Sequence, residues 1–154
     1  MSTRHKLACI FALVAGSSIL VAVVAPETAL PFHERKEVAG LAIVFGAEPE
    51  PALTEEMQFL RWRVSSLEGG APYTELSGEV VISFDGEEQG TFPVRRIRGT
   101  PGSYETRHIF TEPGEYATVL SFKKGRAEET HTVDFNFNIN DRSTLEIPRR
   151  RRGG

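Results

Sequence analysis

The sequence predicts an all-β domain, an antiparallel sandwich of about seven strands, set behind a hydrophobic N-terminal helix. Three observations carry that reading. Beyond the N-terminus the apolar residues are mainly Val, Ile, Phe and Leu in short spaced groups, and branched or aromatic side chains suit a half-buried pleated surface. Gly-, Pro- and Asp-containing turn signals recur at the spacing of short strands, about 8–12 residues. Residues 7–25 form a run of nineteen without a charge, apolar all round rather than along one stripe.

That run follows Arg4, His5 and Lys6, a basic start that stays in the cytoplasm while the chain behind it crosses the membrane. Two readings remain open. Val23-Val24-Ala25 offers a small-x-small exit for a cleaved signal peptide. Nineteen uncharged residues also suffice for an uncleaved anchor. Either way the rest of the chain is expected outside the cytoplasm: periplasmic, on the outer face of the cytoplasmic membrane, or secreted. Residues 26–37, with two prolines and a charge cluster, read as a linker.

From residue 38 the strands follow in order. Residues 41–45 form the first, stopped by Gly46. The prolines of residues 47–52 hold extended loop. Leu60, Trp62 and Val64 alternate with Arg61 and Arg63, which puts one face of the second strand in the core and one in water. Residues 79–84 form the third, ended by the Asp85-Gly86 hairpin signal. Residues 91–97 form a fourth, which Pro93 confines to an edge or a bulge. In residues 103–110, Tyr104, Thr106, His108 and Phe110 share the inner face. In residues 116–122 Tyr116, Thr118, Leu120 and Phe122 do. The last strand sets His131, Val133, Phe135, Phe137 and Ile139 inward. A small closed barrel is the alternative that would print similar strings. The domain therefore spans 38–141, with a disordered basic tail at 142–154 that includes Arg149 to Arg152.

Charge narrows the partners. Residues 26–148 carry 12 basic and 21 acidic side chains, a balance of −9, and an acidic body repels phosphate backbones, so no nucleic acid is expected. A protein or small-molecule partner is expected, with the membrane as a further one through residues 7–25 if the leader stays. The single cysteine, Cys9, lies in the leader, which leaves the domain no disulfide, thiolate metal site or cysteine nucleophile.

Few residues point to chemistry. His108 and His131, both inward, are the residues a metal site would use, but no His-rich spacing accompanies them. No metal and no cofactor are expected. Nucleophile motifs are missing, and the carboxylate pairs Glu48/Glu50, Glu87/Glu88 and Glu128/Glu129 fall in expected turns, where burial cannot raise a pKa for acid catalysis. No catalytic residue is assigned. Phe59, Arg61 and Arg63 share the outer face of the second strand, and a Phe flanked by arginines there marks a candidate contact surface.

Residues 100–139 carry a resemblance. TPGSYETRHIFTEPGEYATVLSF holds Pro-Gly-x-Tyr twice, at 101–104 and 113–116, around one strand, and a Phe-rich strand closes the domain. This resembles the YtkA-like group of exported bacterial immunoglobulin-like domains, and its second half is similar to PKD-type immunoglobulin-like modules. The resemblance implies an immunoglobulin-like form of the sandwich and a non-catalytic binding or accessory role. Some relatives of the first group accompany copper or redox proteins, which implies a periplasmic copper-handling accessory as the alternative. Methionine-rich metal motifs are missing, since Met1 and Met57 are the only methionines. A secreted enzyme is the remaining alternative. Tyr116, following the Glu112-Pro113-Gly114 turn, is expected to bury its ring and tie its hydroxyl to corner backbone.

Overall fold

The computed structural model describes residues 34–145. Eight strands run β1 (Glu34–Val38), β2 (Leu41–Glu48), β3 (Met57–Ser66), β4 (Leu76–Phe84), β5 (Glu87–Arg96), β6 (Ser103–Ile109), β7 (Gly114–Lys124) and β8 (His131–Ile139), and a 3₁₀ turn at Arg142–Thr144 follows. All ladders are antiparallel, and the sheet order is β1-β2-β3-β6-β5-β4-β7-β8. The two ends of that order approach each other, so the sheet is nearly closed around one core.

The fold is thus all-β and antiparallel, with all seven expected strands present. The eighth, β1, is a correction. Its residues Glu34 to Glu37 belong to the expected linker, yet pair with β2 from Phe45 to Ala42. Its sequence, ERKEV, has no apolar alternation; partnership with β2 makes it a strand. Lys36 then closes the sheet. Its ammonium lies 3.0 Å from Asp134 of β8 and 5.4 Å from the centre of the Phe135 ring. The basic tail is corrected at its start, where Asp141 caps the 3₁₀ turn through the Ser143 N–H. The expected N-terminal helix, the leader and Arg149 to Arg152 lie outside the described residues. Among the described residues no helix is long and apolar enough to cross a membrane.

Period-two alternation places the core. Trp62, Leu60, Phe45, Ile43, Ile82, Leu120, Phe122, Phe135 and Phe137 are fully buried. Phe45 contacts Trp62, Phe135 and Phe137, which binds β2, β3 and β8 through their rings. Burying a large apolar side chain contributes roughly 1.5–3 kcal/mol, so each of these residues stabilises the fold on that scale.

Two tyrosines tie turns to the core. Both Pro-Gly-x-Tyr copies end in one. The Tyr116 hydroxyl donates to the Glu112 carbonyl at 2.9 Å, and its ring lies between Phe84 and Phe110. The Tyr104 hydroxyl accepts from Leu76 N–H at 3.1 Å and donates to the Tyr73 carbonyl at 3.0 Å. Burial pushes both phenols above their ordinary pKa. Gly102 of the first copy has φ +73°, and a Cβ there would sit 2.6 Å from the Val64 carbonyl oxygen, so that position needs glycine twice over.

At β5 the sheet folds over. Val94 still pairs with Gly78 of β4, but Arg95 and Arg96 pair with Glu105 and Tyr104 of β6. One strand therefore serves β4 along most of its length and β6 only at its end. Pro93 sits at the changeover, an edge position as its missing N–H requires.

Candidate contact surface

The outer face of β3 presents Met57, Phe59, Arg61 and Arg63, because their neighbours Gln58, Leu60, Trp62 and Val64 fill the core. Register sets the cross-strand partners. Met57 lies opposite Ile109, Phe59 between Glu48 and Arg107, Arg61 between Gly46 and Glu105, and Arg63 between Val44 and Ser103. Arg95 of β5 continues the row beyond Glu105.

Phe59 is not an open aromatic. It is half-buried, with the Arg61 guanidinium 5.3 Å and the Arg107 guanidinium 5.1 Å from its ring centre. Its second clasping arginine is thus Arg107 of β6, where the sequence alternation points to Arg63. Arg61 pairs with Glu48 and, at 3.4 Å, with Glu105. Arg107 reaches the other Glu105 oxygen at 2.7 Å. Glu105, only 13% exposed at its side chain, therefore anchors both arginines over the ring. Glu48, expected in a turn, ends β2 and serves this cluster instead.

Around the clasp the face is open. Met57 is 45% and Ile109 48% exposed, an adjacent pair of large apolar side chains in water. Arg63 and Arg95 are exposed and make no ion pair among the described residues. A recess of about 220 Å³ opens beside Arg61, Arg63, Ile97 and Thr100. A second, of about 370 Å³, opens between Pro93, Arg95, Glu105 and Arg107. Sequence reasoning reached Phe59, Arg61 and Arg63. It missed Met57, which the same alternation along β3 places on this face, and Glu105, Arg107 and Ile109, which join it only through pairing with β6.

The histidines do not form one site. His108 lies between Phe92 at 4.9 Å and Phe110 at 4.7 Å, near the β6 end next to Ile109. Burial among these rings lowers its pKa. His131 starts β8 at the opposite end, beside Phe122, with Glu129 3.8 Å away. Among the described residues no three His, Cys, Asp or Glu side chains are placed to hold one metal ion.

Comparison with family models, curated proteins and solved structures finds no match. The surface itself therefore carries the functional argument. It joins apolar area, an aromatic ring and arginines, the residue types over-represented in protein contact sites.

Proposed function

We propose that this chain is a non-catalytic, extracytoplasmic binding or accessory domain of immunoglobulin-like type, which meets a protein partner through the outer face of β3 and β6. One observation carries the reading. Met57 and Ile109 stand nearly half exposed beside a Phe59 ring already held rigid by Arg61 and Arg107. A side chain ordered before binding loses less entropy on binding.

Two features support the immunoglobulin-like part. The order β2-β3-β6 beside β5-β4-β7-β8 parallels the two sheets of that fold, with β5 lying mainly beside β4 as a C′ strand lies beside C. Tyr116, near the start of β7 and bonded to Glu112 four residues back, matches its tyrosine corner. Extracytoplasmic placement rests on the basic start and the nineteen-residue uncharged run. The copper-handling alternative has less support, because His108 and His131 stand at opposite ends of their strands' shared core.

The test is site-specific photo-cross-linking in the cells that make the protein. A photoreactive side chain at Ile109 or Arg63 should give a discrete higher-mass product, and one at Val119, exposed on β7, should not. Equal products from all three positions, or none from any, would overturn the reading.

A further inference from the structure

The seam between β5 and β6 is an unfinished piece of sheet. β6 pairs with β3 along its whole length, from Ser103 to Ile109, but with β5 only at Tyr104 and Glu105. Ile97 N–H donates to the Ser103 carbonyl at 2.8 Å, so Ser103 directs its backbone groups toward β5. Backbone groups alternate along a strand as side chains do, so Glu105, Arg107 and Ile109 direct theirs the same way. Beyond Glu105 no strand meets them. None of the backbone bonds outside the ladders involves Arg107 or Ile109 among the described residues.

The sequence explains the gap. Extending the Arg95–Glu105 register by two residues would set Pro93 opposite Arg107. Proline has no N–H to give the Arg107 carbonyl, so the ladder stops there. On its other edge β5 keeps its ladder with β4, where Pro93 faces Glu79. The inner side of the gap is sealed by Phe92 and His108, whose rings meet at 4.9 Å. The outer side is the recess of about 370 Å³ lined by Arg95, Arg107 and Pro93. The recess sets two arginines against one carboxylate: Arg95 has no ion pair among the described residues, and Arg107 shares Glu105 with Arg61.

We propose that this seam accepts an extended acidic peptide segment of a partner as an added β-strand along the open edge of β6, its carboxylates meeting Arg95 and Arg107. The backbone supplies affinity, as in other strand additions. The arginines select for acid and exclude basic segments. Ile109 at the open end offers an apolar contact to the same segment. This deepens the proposed contact surface and rests on that reading.

The test uses the full chain in detergent, immobilised and panned against phage displaying random dodecapeptides. Enriched peptides should carry two or more acids in alternation with branched residues. A synthetic peptide from that set should lose about tenfold or more in affinity against Arg95→Glu/Arg107→Glu and be unaffected by Lys123→Glu on the other side of the sheet. If Trp62 emission shows that the double reversal unfolds, Arg95→Gln/Arg107→Gln carries the test, with a smaller loss expected. N-methylation of the peptide's alternate amides, in one parity at least, should abolish binding. Enrichment without acids, indifference to the arginines, or tolerance of N-methylation in both parities would overturn strand addition. So would the failure of any peptide to enrich. If Ile109 still cross-links in cells after such a failure, the contact surface stands without strand addition; if it does not, both readings fall.

Discussion

Removing the Tyr104 hydroxyl should cost more than removing that of Tyr116, although both end the same four-residue motif. The Tyr104 oxygen makes two bonds. It accepts from Leu76 N–H and donates to the Tyr73 carbonyl. Leu76 is buried and opens β4, so in Tyr104→Phe its N–H loses its partner away from water. An orphaned buried donor costs about 1–3 kcal/mol, and the second bond adds about 0.5–1 kcal/mol. The expected total is about 1.5–4 kcal/mol. Tyr116 makes one bond, to the carbonyl of the exposed turn residue Glu112, where water can replace it. Tyr116→Phe should therefore cost only about 0.5–1 kcal/mol. Denaturant melts followed by Trp62 fluorescence read both variants, since Trp62 is the sole tryptophan and is fully buried. Sequence reasoning favours Tyr116 as the critical residue, because the bond from Leu76 N–H to Tyr104 joins β4 to β6 across 28 residues and no local pattern shows it. A Tyr104→Phe midpoint equal to or above that of Tyr116→Phe would refute this ranking.

Three further outcomes are expected. Tyr116→Ala should cost about 3–5 kcal/mol by emptying the space between Phe84 and Phe110, while Asn136→Ala, exposed on β8, should stay within about 0.5 kcal/mol; the same melts compare them. Gly78→Ala should destabilise by about 1–3 kcal/mol, because its Cβ would lie 2.2 Å from the Ser121 carbonyl oxygen and 2.9 Å from Phe122 Cα, so β4 must move off β7; thermal melts should show the loss without a change of fold. Stability should fall as pH drops below about 6.5, where the unfolded chain protonates His108 but the folded one, with its lowered pKa, does not; His108→Phe should flatten that part of a pH-resolved melt, leaving the curve above it unchanged.

How legible the fold was depended on whether the signal was local. β3, β6, β7 and β8 alternate strictly, and their inner faces lie where the sequence puts them. β1 was hidden because four of its five residues are charged, and only the row of β2 gives them a strand conformation. The first residues of β5 were hidden because Glu87 to Gly90 are polar, although Asp85-Gly86 announces the hairpin that makes them a strand. No strand is read between residue 47 and β3, yet Leu53 bridges Asn140 in parallel, and Thr54 N–H donates to the Asn140 carbonyl. The proposed contact surface divides in the same way. Phe59 and Arg61 were legible from alternation along one strand. Glu105, Arg107 and Ile109 needed the register between β3 and β6, which no single stretch of sequence contains.

Pro93 joins the fold to the proposed site, and a single substitution tests that link. In Pro93→Val the restored N–H can reach the Arg107 carbonyl, and the Arg107 N–H can reach residue 93 in return, as the register extended from Arg95 and Glu105 demands. Stability is a poor witness here. The new bonds contribute about 0.5–1.5 kcal/mol each, but replacing proline frees the unfolded chain and takes back about 0.4–1 kcal/mol. Closing the seam also pulls β5 against its ladder with β4, a further opposing cost. Amide exchange separates these effects, because it reads the individual bond. The Arg107 amide should exchange quickly in the parent chain, where it faces the open seam, and slowly in Pro93→Val. The Trp62 and Leu60 amides, in the middle of β3, should not change. Slow exchange at Arg107 in the parent chain would mean that the edge is already satisfied, and a strand-accepting seam would then have no unpaired backbone to offer.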